Sequence, residues 1–373
     1  MENTAFERRR LRQLQAIVVG AGALGNEVVK ALGLLGVGKM MIVDPDIVEP
    51  SNLTRSILFR TSGATGSNKA RALAQAAAQI FPDTEIEAVE DEIAGLGFRP
   101  IAAADILFSC VDSESARLEI AYIATKLDRP VCDAGLGGPN YSHGRVTFFP
   151  GRPAACYCCG LSGRKRRELL TTWQSAVRSC WTSAAAVEQR PYPSTPTMAA
   201  VIGAMQVEIG LRRLLDSASE AWSIELTLAL PVKAETFTLR RSEACPFHAP
   251  EACMISERDA EAVRGGNSRG LTIADLLASA PAVAGTEPVL LLDWPICVQA
   301  RCGACRERWP PMQRVTVIRR RGACPHCGSN QVTEEETISR VSRSAPWAQL
   351  TPAELGIPEQ HLHTIRFERD QPQ

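Results

Sequence analysis

"AIVVGAGALGNEVVKALGLLGVGKMMIVD", Ala16 to Asp44, decides the fold. A short apolar run meets a glycine turn, apolar residues then recur at helical spacing, and "KMMIVD" starts a second strand. This is a β-α-β unit. Gly20, Gly22 and Gly25 stand in Gly-x-Gly-x-x-Gly between strand and helix. Such glycines let the backbone turn tightly and approach a phosphate group at a helix N-terminus, where free N–H groups favour anions. Asp44, at the end of the second strand, is placed to hydrogen-bond ribose hydroxyls. On this stretch alone a nicotinamide oxidoreductase is the plainest reading.

The same alternation continues outward. "NKARALAQAAAQIF" predicts an Ala-rich helix, "EIEAVEDEI" a strand, "ADILFSCVD" an apolar strand, "ESARLEIAYIATKL" a helix, and "RPVCDAGL" and "GRVTFFP" later strands. The expected class is α/β, a Rossmann-like, doubly wound, mostly parallel sheet with ligands at the carboxyl ends of its strands. From about Gly151 a long irregular stretch is expected, holding the basic cluster "GRKRREL" and the proline-rich "QRPYPSTP". "TMAAVIGAMQVEIGLRRLL" then resumes as a helix, and "IELTLAL" with "AETFTLRR" reads as a β pair. The expected division is an N-terminal helical arm over 1–15, a nucleotide-binding domain over 16–253, and a C-terminal module over 254–373 holding a zinc ribbon at 297–330.

Composition limits the partners. With 373 residues, 45% hydrophobic, the chain is long enough for two or three modules. Its 41 basic and 41 acidic side chains cancel, so no overall field holds a polyanion and nucleic acid is not an expected partner. No apolar run reaches a membrane span and the start carries no apolar signal core, so a cytoplasmic protein is expected. Thirteen cysteines, an odd number with tight Cys-x-x-Cys pairs, point to metal ligands and thiol chemistry.

The residues beyond Asp44 suit a triphosphate better than a nicotinamide. "DPDIVEPSNLTRSILFR" brings Asp44, Asp46, Asn52 and Arg55 into one strand-to-loop passage, and Lys69 opens the next helix. Amide, guanidinium and ammonium groups near a glycine loop hold and stabilise phosphate charge during displacement at phosphorus. Asp112, after the fourth strand, is placed to hold Mg²⁺ against phosphate oxygens.

In this order, Gly-x-Gly-x-x-Gly, Asp-x-Asp, Ser-Asn-Leu-x-Arg, Lys-Ala and Val-Asp-x-x-x-x-Arg, the motifs from Leu14 to His248 resemble a known domain. It is the adenylation domain of ubiquitin-like-protein activating enzymes, the superfamily that includes bacterial ThiF and MoeB. The resemblance implies that the C-terminal glycine carboxylate of a small β-grasp protein attacks the α-phosphate of ATP, giving an acyl-adenylate and pyrophosphate. It assigns Asp44 to the ribose, Asn52, Arg55 and Lys69 to the phosphates, and Asp112 to magnesium. It also places an acceptor thiol near Cys180, in "AVRSCWTSA", where a thioester with the carrier would form before hand-over to a conjugating enzyme. A sulfur-carrier adenylyltransferase, stopping at the acyl-adenylate or a persulfide, and a non-enzymatic zinc-ribbon adaptor are the other readings. Arg8, Arg9, Arg10 and Arg12 are candidates for reaching a neighbouring subunit's nucleotide, and the single motif set resembles homodimeric bacterial members.

The other cysteines divide by spacing. Cys156 and Cys159, then Cys245 and His248 about ninety residues later, form two pairs able to close a tetrahedral zinc shell, with Cys158 or Cys253 as possible substitutes. Cys302, Cys305, Cys324 and Cys327 have zinc-ribbon spacing, and "RVTVIRRR" between the knuckles predicts a strand. Protein docking or a purely structural role is the expected use of that ribbon. Cys110 and Cys132 lie in apolar strand patterns and belong to the core.

Overall fold

The computed structural model describes residues 8–60, 63–137, 142–178, 195–248, 270–280, 286–358, 361 and 364–369. Cys180, Cys253 and the linker stretch 254–269 lie outside the described residues. The chain divides into two compact units, one within Met1–Arg166 and Glu188–Cys253, the other within Arg167–Val187 and Met254–Gln373.

A short helix α1 (Arg8–Leu11) exposes its arginines and buries Leu11. The opening β-α-β unit follows as β1 (Gln15–Val19), α2 (Ala23–Leu35) and β2 (Lys39–Val43). Next come α3 (Lys69–Ile80), β3 (Glu85–Val89), α4 (Phe98–Ala103), β4 (Ile106–Ser109), α5 (Glu114–Leu127) and β5 (Val131–Gly137). β6 (His143–Phe149), α6 (Tyr157–Gly160), α7 (Gly163–Arg178), α8 (Pro196–Leu215), β7 (Ala221–Thr227) and β8 (Lys233–Leu239) complete the series.

The strands form one eight-stranded sheet in the order β3-β2-β1-β4-β5-β6-β7-β8. β3 to β5 run parallel, and β6, β7 and β8 pair antiparallel with their neighbours. β1 and β4 are buried along nearly their whole length, as central strands covered on both faces must be. Alternate residues, Ala16 and Val18, Ile106 and Phe108, Cys132 and Ala134, Val146 and Phe148, face one cluster with α2, α3 and α8. Cys110 and Cys132 are indeed core thiols, pushed up in pKa first by burial.

The basic cluster "GRKRREL", expected to be irregular, instead opens the sixteen-residue helix α7. Its strong helix formers Arg, Lys, Glu and Leu outweigh the glycine before them.

In the second unit one long strand, β9 (Thr286–Cys302), pairs antiparallel with β10 (Arg308–Trp309), β11 (Gln313–Arg314), β12 (Val332–Ser342) and β13 (Thr364–Arg369). The expected strand "RVTVIRRR" is a correction. Arg314 ends β11, and Val315–Arg321 is a helix. Val315 and Ile318, one helical turn apart, bury themselves against Cys297 and Ala300 of β9, and that packing overrides the β preference of Val, Thr and Ile. Two basic groups of this unit pair with β12: Arg319 with Glu334 at 2.6 Å and Arg308 with Glu335 at 2.6 Å.

Candidate active site and metal clusters

The glycine loop links β1 to α2. Gly20 has φ +97°, and a Cβ there would sit 2.7 Å from the Cys110 carbonyl oxygen, so the loop presses against the exit of β4. Its neighbour across that contact is the segment carrying Val111 and Asp112, with Asp112 exposed. A Cβ on Gly25 would meet the Gly20 carbonyl oxygen at 2.0 Å. Gly22 differs: nothing lies within 4 Å of a Cβ placed there, and no side chain caps the start of α2. That open cradle at a helix N-terminus is the shape an anionic phosphate needs.

Asp44 is 6% exposed and accepts the Ala21 N–H at 2.7 Å and the Asp46 N–H at 2.8 Å, one on each carboxylate oxygen. Each oxygen keeps a lone pair for a further donor. Burial pushes its pKa up, while the Lys69 ammonium and the two backbone N–H groups pull it down. Lys69 does open α3; its ammonium pairs with Asp46 at 3.2 Å and its backbone N–H donates to the Asp46 carbonyl. Asn52 sits buried in a tight turn, Pro50–Thr54, where its Oδ1 accepts the Glu49 N–H at 2.9 Å. Arg55 follows that turn, half-buried.

Three contributors escaped the sequence reading. Asn68 caps α3 by accepting the Arg71 N–H and donates to the Asp44 and Asp46 carbonyls, which joins the Asp-x-Asp passage to Lys69. An asparagine just before a helix start is a capping signal, so "SNKARA" held a trace of it. Asp133 of β5 receives Arg117, the last residue of the Val-Asp-x-x-x-x-Arg motif, and the Ser109 hydroxyl at 2.7 Å. Arg117 also donates to the Val111 carbonyl at 2.6 Å and the Ala134 carbonyl at 2.8 Å, so it anchors the backbone just before Asp112. Nothing local links Arg117 to Asp133. Asn26, fully buried in the first turn of α2, is the third.

Two donor clusters occur among the described residues: Cys156, Cys159, Cys245 and His248, and Cys302, Cys305, Cys324 and Cys327, each with its ligand atoms within 4.8 Å of one another. In the first, the Cys156 thiol lies 3.8 Å from Cys159 and 3.7 Å from Cys245, and the buried His248 Nε2 makes no hydrogen bond. Hydrogen bonds from Cys156 and neighbouring thiols pull Cys245 down, the same thiol contacts push Cys156 up, and burial lowers His248, which leaves one thiolate and a neutral imidazole favoured. Cys158 is buried beside Cys245 without joining the four. Arg166 holds the knuckle in shape, donating to the carbonyls of Cys158, Cys159 and Leu161 and to Ser242 Oγ. In the second cluster Cys302 is brought down to about 6, chiefly by the Cys305 N–H. Both donor sets fit tetrahedral zinc.

A profile of the ThiF family matches residues 4–246, well over half the chain. The chain belongs to the ThiF family. The sulfur carrier protein ThiS adenylyltransferase of Escherichia coli (strain K12) is 26% identical over 243 residues, covering 64% of this chain and 87% of that protein. SUMO-activating enzyme subunit uba-2 of Caenorhabditis elegans is 30% identical over 155 residues, 41% of this chain and 26% of that one. Ubiquitin-like modifier-activating enzyme 5 of Bombyx mori is 29% identical over 162 residues, 40% of each chain. The chain thus spans less than half the length of these two activating enzymes. The fold is similar to that of E. coli MccB solved with selenomethionine MccA, with a TM-score of 0.50 at 16% identity over 65% of this chain and 68% of that one. This ThiF-family chain is an enzyme of the adenylyltransferase and modifier-activating class, which sets aside the oxidoreductase and adaptor readings. No helix among the described residues is long and apolar enough to cross a membrane.

Proposed function

We propose that this ThiF-family enzyme uses ATP to adenylate the C-terminal glycine carboxylate of a small β-grasp carrier protein, ubiquitin-like or sulfur-carrying. A carboxylate oxygen forms a bond to the α-phosphorus as the α–β bridging bond breaks, and pyrophosphate leaves. The observation that carries the reading is the open cradle at Gly22, set between the doubly anchored Asp44 and the Asp112 segment at the exit of β4. In this reading Asp44 and Asp46 serve the ribose side, Asn52, Arg55 and Lys69 the phosphates, and Asp112 holds magnesium, which would neutralise charge on the phosphate oxygens. Zinc fills the two donor clusters as a structural ion. A homodimer fits the single motif set.

Asp112→Ala is expected to lower carrier-dependent pyrophosphate exchange by about 10³-fold, since a phosphate-bound metal supplies several kcal/mol. Asp112 is exposed, so the melting temperature should hold. Exchange that survives this change removes Asp112 from the reaction. A further step, thioester formation on Cys180, is supported by the position of that residue between the first knuckle and α8. Cys180→Ala should then spare exchange and abolish a thiol-sensitive carrier adduct. The sulfur-carrier alternative draws on the ThiS adenylyltransferase, 87% of whose length is matched. It calls for exchange without any adduct in the parent protein.

Metal analysis of the purified chain is expected to find about two zinc ions, and Cys302→Ser about one, because loss of one thiolate opens a closed structural site. An unchanged zinc content in the variant would exclude the ribbon as a metal site.

A further inference from the structure

Asn26 carries an amide in the middle of an apolar helix face. It is 0% exposed, with Leu24, Val28 and Val29 buried around it, and an unsatisfied amide there would cost a few kcal/mol. Its polar atoms are used in two directions. Nδ2 donates to the Ala21 carbonyl at 3.1 Å and to the Gly22 carbonyl at 3.1 Å. Oδ1 accepts the Leu58 N–H at 3.2 Å. The partners fix the amide's orientation, since two carbonyls must face the NH₂ group and an N–H must face the oxygen.

The first direction sets the cradle. In a planar trans peptide the C=O and N–H point oppositely, so drawing the Ala21 and Gly22 carbonyls toward Asn26 turns the Gly22 and Ala23 N–H groups away from it. The second direction reaches the segment after Arg55. Leu58 and Phe59 are buried there at 6% and 0% exposure, so the bond to Leu58 ties an anchored backbone to the glycine loop. One side chain therefore joins the loop that cradles phosphate to the loop that carries Arg55.

We propose that Asn26 is a positioning residue that couples the two loops, holding the Arg55 guanidinium in register with the glycine-loop N–H groups around one polyphosphate. This rests on the site being a nucleotide site. The test is ATP affinity, measured by calorimetry on the full-length chain without any carrier, for the parent, Asn26→Ala, Arg55→Ala and the double variant. Asn26→Ala is expected to weaken ATP about tenfold in the parent but less than about threefold in the Arg55→Ala background, the non-additivity of residues acting through one another. Equal factors in the two backgrounds would mean that Asn26 merely stabilises the helix, and would overturn the proposal. Asn26→Asp keeps the shape and removes the donor. Its ATP affinity should fall relative to the parent at neutral pH and partly recover as the pH drops and the buried carboxyl gains a proton to donate. A pH profile parallel to the parent's would also overturn it. A parent chain that binds no ATP would instead sink the nucleotide reading itself.

Discussion

Gly25→Ala is expected to abolish ATP binding and pyrophosphate exchange, with a loss of at least about 100-fold, the scale on which a displacement near 1 Å disables a reacting geometry. The added methyl carbon would stand 2.0 Å from the Gly20 carbonyl oxygen, a backbone atom that cannot rotate away. Gly20 is itself closely packed, since a Cβ built on it would lie 2.7 Å from the Cys110 carbonyl oxygen. The glycine loop must therefore move as a unit, and overpacking of this kind costs about 1–3 kcal/mol of stability as well. Gly22→Ala separates the two effects. Its methyl group enters open space on an extended backbone, so the melting temperature should hold while ATP affinity falls. An ATP affinity unchanged by Gly22→Ala would mean that the open space at Gly22 is not a ligand cradle.

Asp133→Ala should destabilise the first unit by about 3–5 kcal/mol, the range for breaking one partner out of a buried ion pair. Asp133 and Arg117 are 3% and 9% exposed, and removal of the carboxylate leaves the guanidinium with two carbonyl acceptors and, among the described residues, no ion-pair partner. The Ser109 hydroxyl loses its acceptor at the same time. Such a change lowers the melting temperature of a unit this size by roughly 10 °C. Ser109→Ala removes one hydrogen bond and should cost only about 0.5–1.5 kcal/mol. A denaturation midpoint for Asp133→Ala equal to that of Ser109→Ala would show that the pair does not anchor the β4–β5 edge. Exchange should also fall in the folded protein, because Arg117 ties the Val111 carbonyl and with it the approach to Asp112.

Each of these residues shows where sequence reasoning reaches and where it stops. Gly20, Gly22 and Gly25 were legible because their conformational demands are local to one turn. Lys69 was legible as the start of α3, since a helix start is also a local event. Arg117 was legible as a motif member, but its partner was not, because Asp133 comes alongside only when β5 pairs with β4. Asn26 looked like one polar residue in a helical pattern. Its role appears only when the turn preceding it and the Leu58 backbone meet around it.

Legible in the sequence are the opening β-α-β unit, the order of the motifs that resemble an adenylation domain, the Cys-x-x-Cys pairs and the net charge of zero. All of these are read from spacing, periodicity or composition, which need no knowledge of distant neighbours. That the sheet turns antiparallel beyond β5 and that Val315–Arg321 winds as a helix follows from contacts between distant segments. Among the ligands that spacing allowed, long-range packing kept Cys159 with Cys156, Cys245 and His248 and left Cys158 aside, and it gave Arg117, Asn26 and Arg166 their partners. In each case the deciding energy is burial or a hydrogen bond between elements far apart in the chain. Local propensities of a few tenths of a kcal/mol do not encode it, and packing worth several kcal/mol overrides them.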